Sequence, residues 1–484
     1  MERLSRATCS TLGYDPDKLD IGIVHLGVGA FHRAHQADYT DEAIRNGDLR
    51  WGILGASLRA ADTRDALEPQ DFLYTLAESD EAGERFRVIA ALRDVLVAPE
   101  TPATLIRAMC RPSVKIVSLT VTEKGYCHDP ATGELNESHP DIIHDLAHPD
   151  FPKSAPGFLV AALRKRRVYG LAPFTVLCCD NLPANGRTVA RVVTKLARLQ
   201  DAELGNYVAD NVAFPSTMVD RIVPATTDAD RTRVAAATGL EDAWPVVTEV
   251  YNNWVVEDQF PQGRPQWSAT FVDDIAPFEL MKLRLLNGAH SSMAYLGYLA
   301  GHETIADCMG DEALSHFVSH LMHREVTATL SVPPGADIES YKAALLRRFC
   351  NPGLRHRTWQ IAMDGSQKIP QRLLGTIRER LKVDQSIDGL ALGVAAWMRY
   401  VTGLDEKHQP IDVRDPLRDE LRARADAAGR DAMKLAASLL GVEQVFGKDL
   451  PHNARFRLTV TAALDSLITR GSRSTLKAFR SAFP

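Results

Sequence analysis

The sequence lacks any long run of apolar residues. Nowhere along its 484 residues do about 18 consecutive apolar residues occur, the length that a membrane-spanning helix needs. The segment from Met1 to Asp20 also lacks the apolar core of a secretory signal peptide. We therefore expect a protein that works in the cytoplasm.

Cysteine is scarce, and it does not occur at metal-binding or redox spacings. The chain has seven cysteines, and no two of them form a C-x-x-C pair. This pattern excludes a zinc ribbon or a disulfide-stabilised secreted scaffold and indicates free thiols in a reducing compartment.

An excess of charge of one sign is missing as well. The formal net charge is -6, and 24% of the residues are charged, without long acidic or basic runs. The short basic cluster at residues 164–167 is typical of a solvated helix end. These features exclude the electrostatic footprint of a nucleic-acid or membrane-surface protein. The expected partner is a small molecule, and the expected state is a monomer or weak homo-oligomer.

The length of the chain predicts two domains, because 484 residues are more than a single hydrophobic core usually supports. Hydrophobic residues make up 45% of the sequence, which is enough to form these cores. Alternating strand and helix patterns predict an α/β domain with insertions over residues 1–276, and helical patterns predict a mostly α-helical domain over residues 277–484. The predicted strands are Ile21–Leu26, Trp51–Ala56, Phe86–Leu92, Val114–Leu119 and Phe174–Cys179. The main predicted helices are Ala30–Asn46, Phe278–His302, Glu312–His323, Ser366–Leu381 and Gly389–Thr402.

A glycine turn follows the first predicted strand. A turn of this kind lets a dinucleotide pyrophosphate approach the backbone and a helix N-terminus. Glycine pairs also end many ordinary strands, and His32 occupies the position of the third glycine in the usual pattern. Asp62 lies where an acid can accept the adenosine ribose hydroxyls, which favours NAD over NADP. The predicted cofactor residues are Gly27, Val28, Gly29, Ala30, Phe31 and Asp62.

A polar constellation lies in the largely apolar helix predicted after Pro277. At about 100° per residue, Glu279, Lys282, Asn287 and His290 share one face of a regular helix. A solvated face is the ordinary alternative, but the flanking leucines favour a buried one. Because burial disfavours the charged form of an amine, Lys282 is predicted to exchange a proton with a substrate hydroxyl.

The constellation is predicted to work without metal. His32 and His35 have no accompanying metal-ligand cluster, so we expect them to be structural. Amide donors must then stabilise alkoxide charge, and Asn287 and Asn181 are suitable. Asn181 follows a predicted strand, although Asp-Asn sequences also make ordinary turns.

These residues fall in segments that resemble the mannitol dehydrogenase family, the polyol-specific long-chain dehydrogenases. The matching segments are 23–36, 118–126, 179–183, 218–222 and the Lys282-x4-Asn287-x2-His290 pattern. The resemblance implies a Rossmann-type N-terminal domain and a helical C-terminal domain. It further implies the following roles: Lys282 as general acid/base, Asn181 and Asn287 as oxyanion donors, His290 as the residue that positions the hydroxyl, Asp220 and Lys368 as substrate contacts, and Glu279 as part of a proton path.

The segment from Asn351 to Arg372 resembles the sugar-acid branch of the family more than the mannitol branch, which has an arginine where this chain has Gln360. Arg355, Arg357, Lys368 and Arg372 concentrate positive charge there. Arginine can hold a carboxylate through two parallel hydrogen bonds, and we predict substrate contacts from Arg357 and Arg372.

The resulting hypothesis is a metal-independent, NAD-dependent oxidoreductase that interconverts D-mannonate and D-fructuronate. The alternative is a mannitol 2-dehydrogenase or a related enzyme acting on arabinitol or sorbitol. A non-catalytic nucleotide-binding protein on the same fold is the remote alternative.

Overall fold

The structure, a computed structural model, describes residues 1–10, 12–80, 82–129 and 132–483. The chain divides into two compact units, Met1–Ala276 and Pro277–Pro484. Within the described ranges, no helix is both long and apolar enough to span a membrane.

The first unit combines strands and helices. Its strands are β1 (Glu2–Arg3), β2 (Ile21–Leu26), β3 (Gly52–Ser57), β4 (Tyr74–Asp80), β5 (Gly83–Ile89), β6 (Leu92–Val97), β7 (Ile116–Leu119), β8 (Thr175–Cys178), β9 (Thr217–Asp220), β10 (Leu240–Glu241), β11 (Val246–Glu249), β12 (Asn253–Glu257) and β13 (Thr270–Val272). Its helices are α1 (Ala30–Ala34), α2 (Gln36–Arg45), α3 (Asp62–Leu67), α4 (Pro102–Met109), α5 (Pro140–Ala147), α6 (Ala155–Val168), α7 (Asn185–Gln200), α8 (Ala202–Asn211) and α9 (Asp228–Thr238).

A parallel sheet of five strands, in the order β6-β3-β2-β7-β8, organises this unit. The chain builds outward from β2 through β3 to β6 and then returns to the other side of β2 through β7 and β8. The reversal between β2 and β7 is a topological switch point, and open α/β sheets bind ligands outside the carboxyl ends of the strands at such a point.

Apolar clusters cover both faces of the sheet. Val24 and Val117 join the cluster that contains Phe158 of α6, whereas Ile23 and Ile53 join the cluster that contains Trp254. A sheet covered on both faces needs continuous apolar strands instead of alternating ones. This requirement explains why β2 and β7 are nearly continuous apolar runs in the sequence.

Four of the five predicted strands are confirmed to within two residues. The fifth, Phe86–Leu92, overlaps β5, which begins and ends three residues earlier and pairs antiparallel with β4 outside the parallel sheet. The strand that follows β2 and β3 in the parallel sheet is β6, which lies at the sheet edge beside β3. Arg93 and Asp94 interrupt its apolar pattern, which is compatible with an edge strand and hides it from a search for buried runs.

The predicted helix Ala30–Asn46 is broken at His35, where α1 ends and α2 begins. The His35 backbone leaves the helical region with φ -122° and ψ -92°. Its ring packs against Phe31, Tyr39 and Trp254, with centroid separations of 5.0, 5.3 and 5.3 Å. Long-range aromatic packing accompanies a break that helix propensity does not signal.

The second unit is helical in its described residues. Its helices are α10 (Ala276–Lys282, whose first residue closes the first unit), α11 (Ala289–Leu299), α12 (Ile305–Gly310), α13 (Glu312–His320), α14 (Ile338–Phe349), α15 (Thr358–Ala362), α16 (Gly365–Ile369), α17 (Gly375–Lys382), α18 (Asp388–Tyr400), α19 (Arg418–Ala428), α20 (Ala432–Leu440), α21 (Glu443–Phe446), α22 (Ala454–Arg470) and α23 (Ser472–Ala482).

Three long helices predicted as regular contain π-helical segments, in which hydrogen bonds close to the fifth residue instead of the fourth. The segments are Leu283–Gly288, Leu321–Val326 and Pro370–Leu374. The first packs against the other two. Because π segments are rare and concentrate at functional sites, this cluster marks the surroundings of Lys282. The fourth prediction, Gly389–Thr402, is confirmed as the unbroken helix α18.

Candidate active site

The glycine turn after β2 has a geometry that only glycine tolerates at its first position. Gly27 has φ +94°, and a Cβ built there would lie 2.2 Å from the Thr120 carbonyl oxygen. The Gly27 carbonyl accepts a hydrogen bond from Thr120 Oγ1 at 2.7 Å. Since Thr120 follows β7, this contact fixes the turn at the switch point.

Gly29, the second glycine of the turn, serves a different purpose. Its φ of -83° is open to any residue, and no atom lies within 4 Å of a Cβ built on it. Val28 between the glycines is buried, whereas Ala30 and Phe31 are partly exposed at the start of α1. The turn therefore presents an open backbone surface beside a helix start.

His32 fills the place of the missing third glycine. Its ring stacks on the ring of His25 in β2, with centroids 3.4 Å apart and planes 11° apart. Burial holds the pKa of His32 well below its usual value and lowers the pKa of His25 to about 3. Both rings are therefore neutral near pH 7, and their stacking packs α1 against β2.

A carboxylate that the sequence reasoning did not single out joins the ends of β7 and β8. Asp180 accepts hydrogen bonds from the backbone N–H groups of Val121 at 2.8 Å and Thr122 at 3.2 Å, and from the Tyr126 hydroxyl at 2.6 Å. Burial nevertheless raises the pKa of Asp180 to about 6. Thr122 has φ +65°, which is strained for a β-branched residue. Such strain is typical of functional sites.

Asn181 follows Asp180 and lies exposed beyond the carboxyl end of β8. The loop that carries it is anchored by Asn185, another residue that sequence reasoning missed. The Asn185 side chain donates to the Asp180 carbonyl at 3.0 Å and accepts from the Thr217 N–H at 2.9 Å. The Asp-Asn-Leu-Pro-Ala-Asn run contained the signal, because its second asparagine bonds back across the turn.

Asp220, the other predicted substrate contact in this unit, ends β9 and is buried. The neighbouring Arg221 bridges Asp38 at 2.7 Å and Glu78 at 2.5 Å, and Arg87 contacts the same two carboxylates. Two cations and two anions thus balance one another inside the unit. This network fixes the backbone next to Asp220.

Asp62, the predicted ribose contact, is exposed in the first turn of α3, five positions after β3 ends. This position is compatible with a cofactor bound beyond the carboxyl ends of the parallel strands. Its role stays a prediction.

In the second unit, the predicted catalytic residues lie on a helix with an irregular middle. Lys282 ends α10, Asn287 lies in the first π segment, and His290 lies in the first turn of α11. Their exposed fractions are 8%, 7% and 6%, respectively. The regular 100° spacing predicted for this face is therefore wrong over the π segment, whereas the predicted burial of all three side chains is confirmed.

Glu279 is partly exposed three residues before Lys282. Arg284 in the π segment is tied elsewhere, since its guanidinium donates to the Glu379 carboxylate at 2.6 and 2.5 Å. A Cβ on Gly288 would meet the Arg372 carbonyl at 2.9 Å. This close approach joins the π segment that carries Asn287 to the one that carries Arg372.

Cationic groups surround His290. Burial holds the pKa of His290 well below its usual value, and the neighbouring His356 ring and the charges of Arg372, Arg348 and Lys368 lower it further. Arg372 donates to Ser291 Oγ at 2.9 Å, and Lys368 donates to the Met363 carbonyl at 2.5 Å. The structure therefore brings predicted residues Lys368 and Arg372 to His290, and it adds Arg348 and His356.

Arg357 does not belong to this cluster. Its side chain is 62% exposed, and its guanidinium lies 3.7 Å from the Glu303 carboxylate in a surface ion pair. Arg355 is also exposed. The linear concentration of positive charge is therefore misleading at these two positions, because, of the four cations in this segment, only Lys368 and Arg372 act on His290.

One group of metal-ligating side chains occurs among the described residues, formed by Cys127, His139 and Asp141. Two features disfavour metal binding there. Nδ1 of His139 already accepts the Asp141 N–H at 3.2 Å, and burial raises the pKa of the Cys127 thiol to about 12. The predicted proton-transfer residues do not belong to this group.

Comparisons with known proteins identify both parts of the chain. A family model described as the mannitol dehydrogenase Rossmann domain matches residues 21–269, and one described as the mannitol dehydrogenase C-terminal domain matches residues 274–468. The predicted family and the Rossmann-type fold are thereby confirmed.

Individual relatives span almost the whole chain. D-mannonate oxidoreductase of Escherichia coli is 47% identical over 96% of this chain and 97% of its own length. A mannitol 2-dehydrogenase of Phaeosphaeria nodorum is 40% identical over 98% of this chain and 84% of its own length. The ternary complex of Pseudomonas fluorescens mannitol 2-dehydrogenase with NAD and D-mannitol is 38% identical, with a TM-score of 0.91 and full coverage of both chains.

Proposed function

This chain belongs to the mannitol dehydrogenase family, and on that premise we propose that it is a metal-independent, NAD-dependent oxidoreductase that interconverts D-mannonate and D-fructuronate. The reaction exchanges a secondary alcohol for a ketone. The single observation that carries the choice of a sugar acid is the position of Arg372, whose guanidinium donates to Ser291 Oγ at 2.9 Å, next to His290 in the chain.

The glycine turn fits the pyrophosphate of NAD. Gly29 leaves open the space that a Cβ would fill, and α1 begins at the next residue. Backbone N–H groups at a helix start are suited to an anion. Asp62 supplies the carboxylate for the ribose hydroxyls and thereby disfavours a 2'-phosphate. When bound, NAD supplies the hydride acceptor of the oxidation.

Lys282 exchanges the hydroxyl proton. During oxidation its amine takes the proton as the C–H bond breaks, and during reduction it returns a proton to the oxygen. Asn181 and Asn287 donate hydrogen bonds to the oxygen while it carries negative charge. His290 positions that oxygen, and Glu279, partly exposed three residues before Lys282, passes the proton toward solvent.

Arg372 and Lys368 attract the carboxylate of the substrate, and Asp220 accepts hydrogen bonds from hydroxyls of the sugar chain. A carboxylate near several cations is stabilised by attraction and by charge-assisted hydrogen bonds. Arg357 is not retained as a substrate contact, since its exposed ion pair with Glu303 gives it no part in the cluster.

Mannitol 2-dehydrogenase activity is the second candidate. The Pseudomonas enzyme that was solved with D-mannitol superposes on the whole chain, so the fold does not separate the two substrates. A neutral polyol accepts hydrogen bonds from the cations around His290 but lacks the charge attraction that a carboxylate gains. The sugar acid is therefore favoured as the substrate. As a separate part of this proposal, we place the reaction in the cytoplasm.

A panel of initial rates tests this function. D-mannonate, D-altronate, D-mannitol, D-arabinitol and D-sorbitol are each assayed with NAD and NADP, before and after chelator treatment. We expect turnover of mannonate with NAD that survives chelation. Turnover of mannitol but not of mannonate contradicts the substrate, and loss of activity on chelation contradicts metal independence.

A further inference from the structure

Two histidines in contact each bury a ring nitrogen that finds no hydrogen-bond partner among the described residues. The nitrogens are Nε2 of His290 and Nδ1 of His356. The rings meet edge to face, with centroids 4.9 Å apart and planes 73° apart. An unsatisfied buried nitrogen is costly, and two adjacent ones call for a common explanation.

The surroundings keep both rings neutral and hold the first one in place. Burial and the Lys368 charge lower the pKa of His356 to about 4. Phe349 stacks on the ring of His290 with centroids 5.3 Å apart. A neutral imidazole has one N–H and one acceptor nitrogen. Two neutral rings can therefore satisfy each other with one hydrogen bond.

We propose that His356 is a positioning residue, and that its Nδ1–H donates a hydrogen bond to Nε2 of His290. Ring centroids 4.9 Å apart are close enough for a hydrogen bond between two ring nitrogens that face each other. With Nε2 acting as acceptor, His290 carries its own proton on Nδ1. The tautomer of a histidine is set in this way by the bond at its other nitrogen.

This tautomer has a consequence for the reaction, which rests on the function proposed above. An Nδ1–H on His290 donates to the reacting oxygen, whether that oxygen is a ketone or an alkoxide. The opposite tautomer presents only a lone pair and repels the same oxygen. His356 thus keeps His290 in the tautomer that donates to the reacting oxygen, without itself contacting the substrate.

The first test needs no turnover. Nitrogen-15 spectra of the full-length protein with labelled histidine report which ring nitrogen of His290 is protonated. We expect a single tautomer protonated at Nδ1 in the wild type, and loss of that single state in His356→Phe, which keeps a ring but removes its nitrogens. His356→Asn, which retains a polar group near the Nδ1 position, is expected to restore it.

The second test separates positioning from folding. We expect His356→Phe to lower kcat about tenfold, the cost of one good hydrogen bond, with the KM for substrate and the Kd for NADH changed less than twofold. His356→Asn is expected to recover most of kcat. His316→Phe is the matched control, because His316 also buries an unpartnered Nδ1 in this unit, and it should leave kcat unchanged.

The outcomes distinguish this inference from the proposed function. An unchanged His290 tautomer in His356→Phe, or equal kcat losses in His356→Phe and His316→Phe, overturns the inference even if mannonate is the substrate. A wild-type protein inactive on every sugar acid and polyol overturns the proposed function, while the nitrogen-15 result still decides the hydrogen bond.

Discussion

Two groups of buried charges, one in each unit, have different surroundings. In the sheet unit, Arg87 and Arg221 meet Asp38 and Glu78 in a balanced network. In the helical unit, the charges of Arg348, Lys368 and Arg372 lower the pKa of His290. The balanced network holds a backbone in place. A concentration of cations favours an anionic ligand, and on this basis we assign a structural role to the first group of charges and a recognition role to the second.

The units also differ in how their sites are built. The sheet unit presents backbone at a glycine turn, where Gly27 is required by its φ of +94° and Gly29 leaves space. The helical unit presents side chains, and a π segment carries one of them between Lys282 and His290. Under the proposed function, the first unit holds the cofactor and contributes Asn181 and Asp220 to the substrate site, and the second unit contributes the proton-transfer residue Lys282.

The largest expected effect comes from Lys282→Ala. Removing the proton-transfer group should lower kcat by about a thousandfold, within the range of general acid–base catalysis, while NADH affinity changes less than twofold. Stopped-flow turnover and NADH fluorescence titration measure the two quantities. Lys382→Ala, which removes an exposed lysine of α17, is the control. Wild-type kcat in Lys282→Ala would favour the non-catalytic alternative.

Substitutions in the glycine turn should have the opposite effect to Lys282→Ala, because they should weaken NADH binding. Gly29→Ala should fold with an unchanged Tm because nothing occupies the space of its Cβ, yet it should weaken NADH binding about tenfold, a loss of about 1.4 kcal/mol. Gly27→Ala should lower both Tm and NADH affinity, because its Cβ would meet the Thr120 carbonyl. Equal NADH affinities in wild type and Gly29→Ala would mean that the cofactor does not approach this backbone.

Substitutions of two arginines test whether the cations near His290 bind the substrate carboxylate. Arg372→Gln should raise the KM for mannonate about tenfold, since a charged hydrogen-bonding partner contributes about 1.5–3 kcal/mol. Arg357→Gln should change it less than twofold, because exposed ion pairs contribute little. Steady-state kinetics on both variants measure the contrast. A larger effect at Arg357 would restore the assignment made from linear sequence.

The last prediction concerns stability instead of activity and tests the effect of pH on Asp180. Its pKa is raised from 3.8 to about 6, so the folded protein binds the Asp180 proton more tightly than the unfolded chain does. This contribution to stability is present at low pH and is lost as pH rises toward 6. Relative to Asp180→Asn, the wild type should therefore lose up to about 1 kcal/mol per pH unit between pH 4 and 6. Urea unfolding at several pH values measures the difference, and a constant gap would contradict the raised pKa.

Much of the fold follows from local patterns. Two glycines after an apolar run predict the turn, short apolar runs predict four strands of the parallel sheet, and helical periodicity predicts the second unit. The family prediction is confirmed. The edge strand β6 and the break at His35 depend on partners distant in sequence. The π segments escape prediction because one extra residue in a turn hardly changes an apolar pattern.

The site is less predictable than the fold. Lys282, Asn287 and His290 share one helix, so their common burial could be anticipated. The cluster around His290 could not, because Arg348 and His356 come from segments outside that helix and Arg357 turns to the surface. Linear charge density says nothing about which cations the chain folds inward. The roles of all these residues stay predictions.

Chemical rescue of Lys282→Ala tests the central claim most directly. Small primary amines such as methylamine are added to the NAD-bound variant, and the rate of mannonate oxidation is followed against amine concentration and pH. We predict that the rate rises in proportion to the unprotonated amine, because the added base takes the proton that Lys282 takes in the wild type. A variant that keeps wild-type turnover, or a rescue that does not depend on the unprotonated amine, would contradict Lys282 as the proton-transfer group.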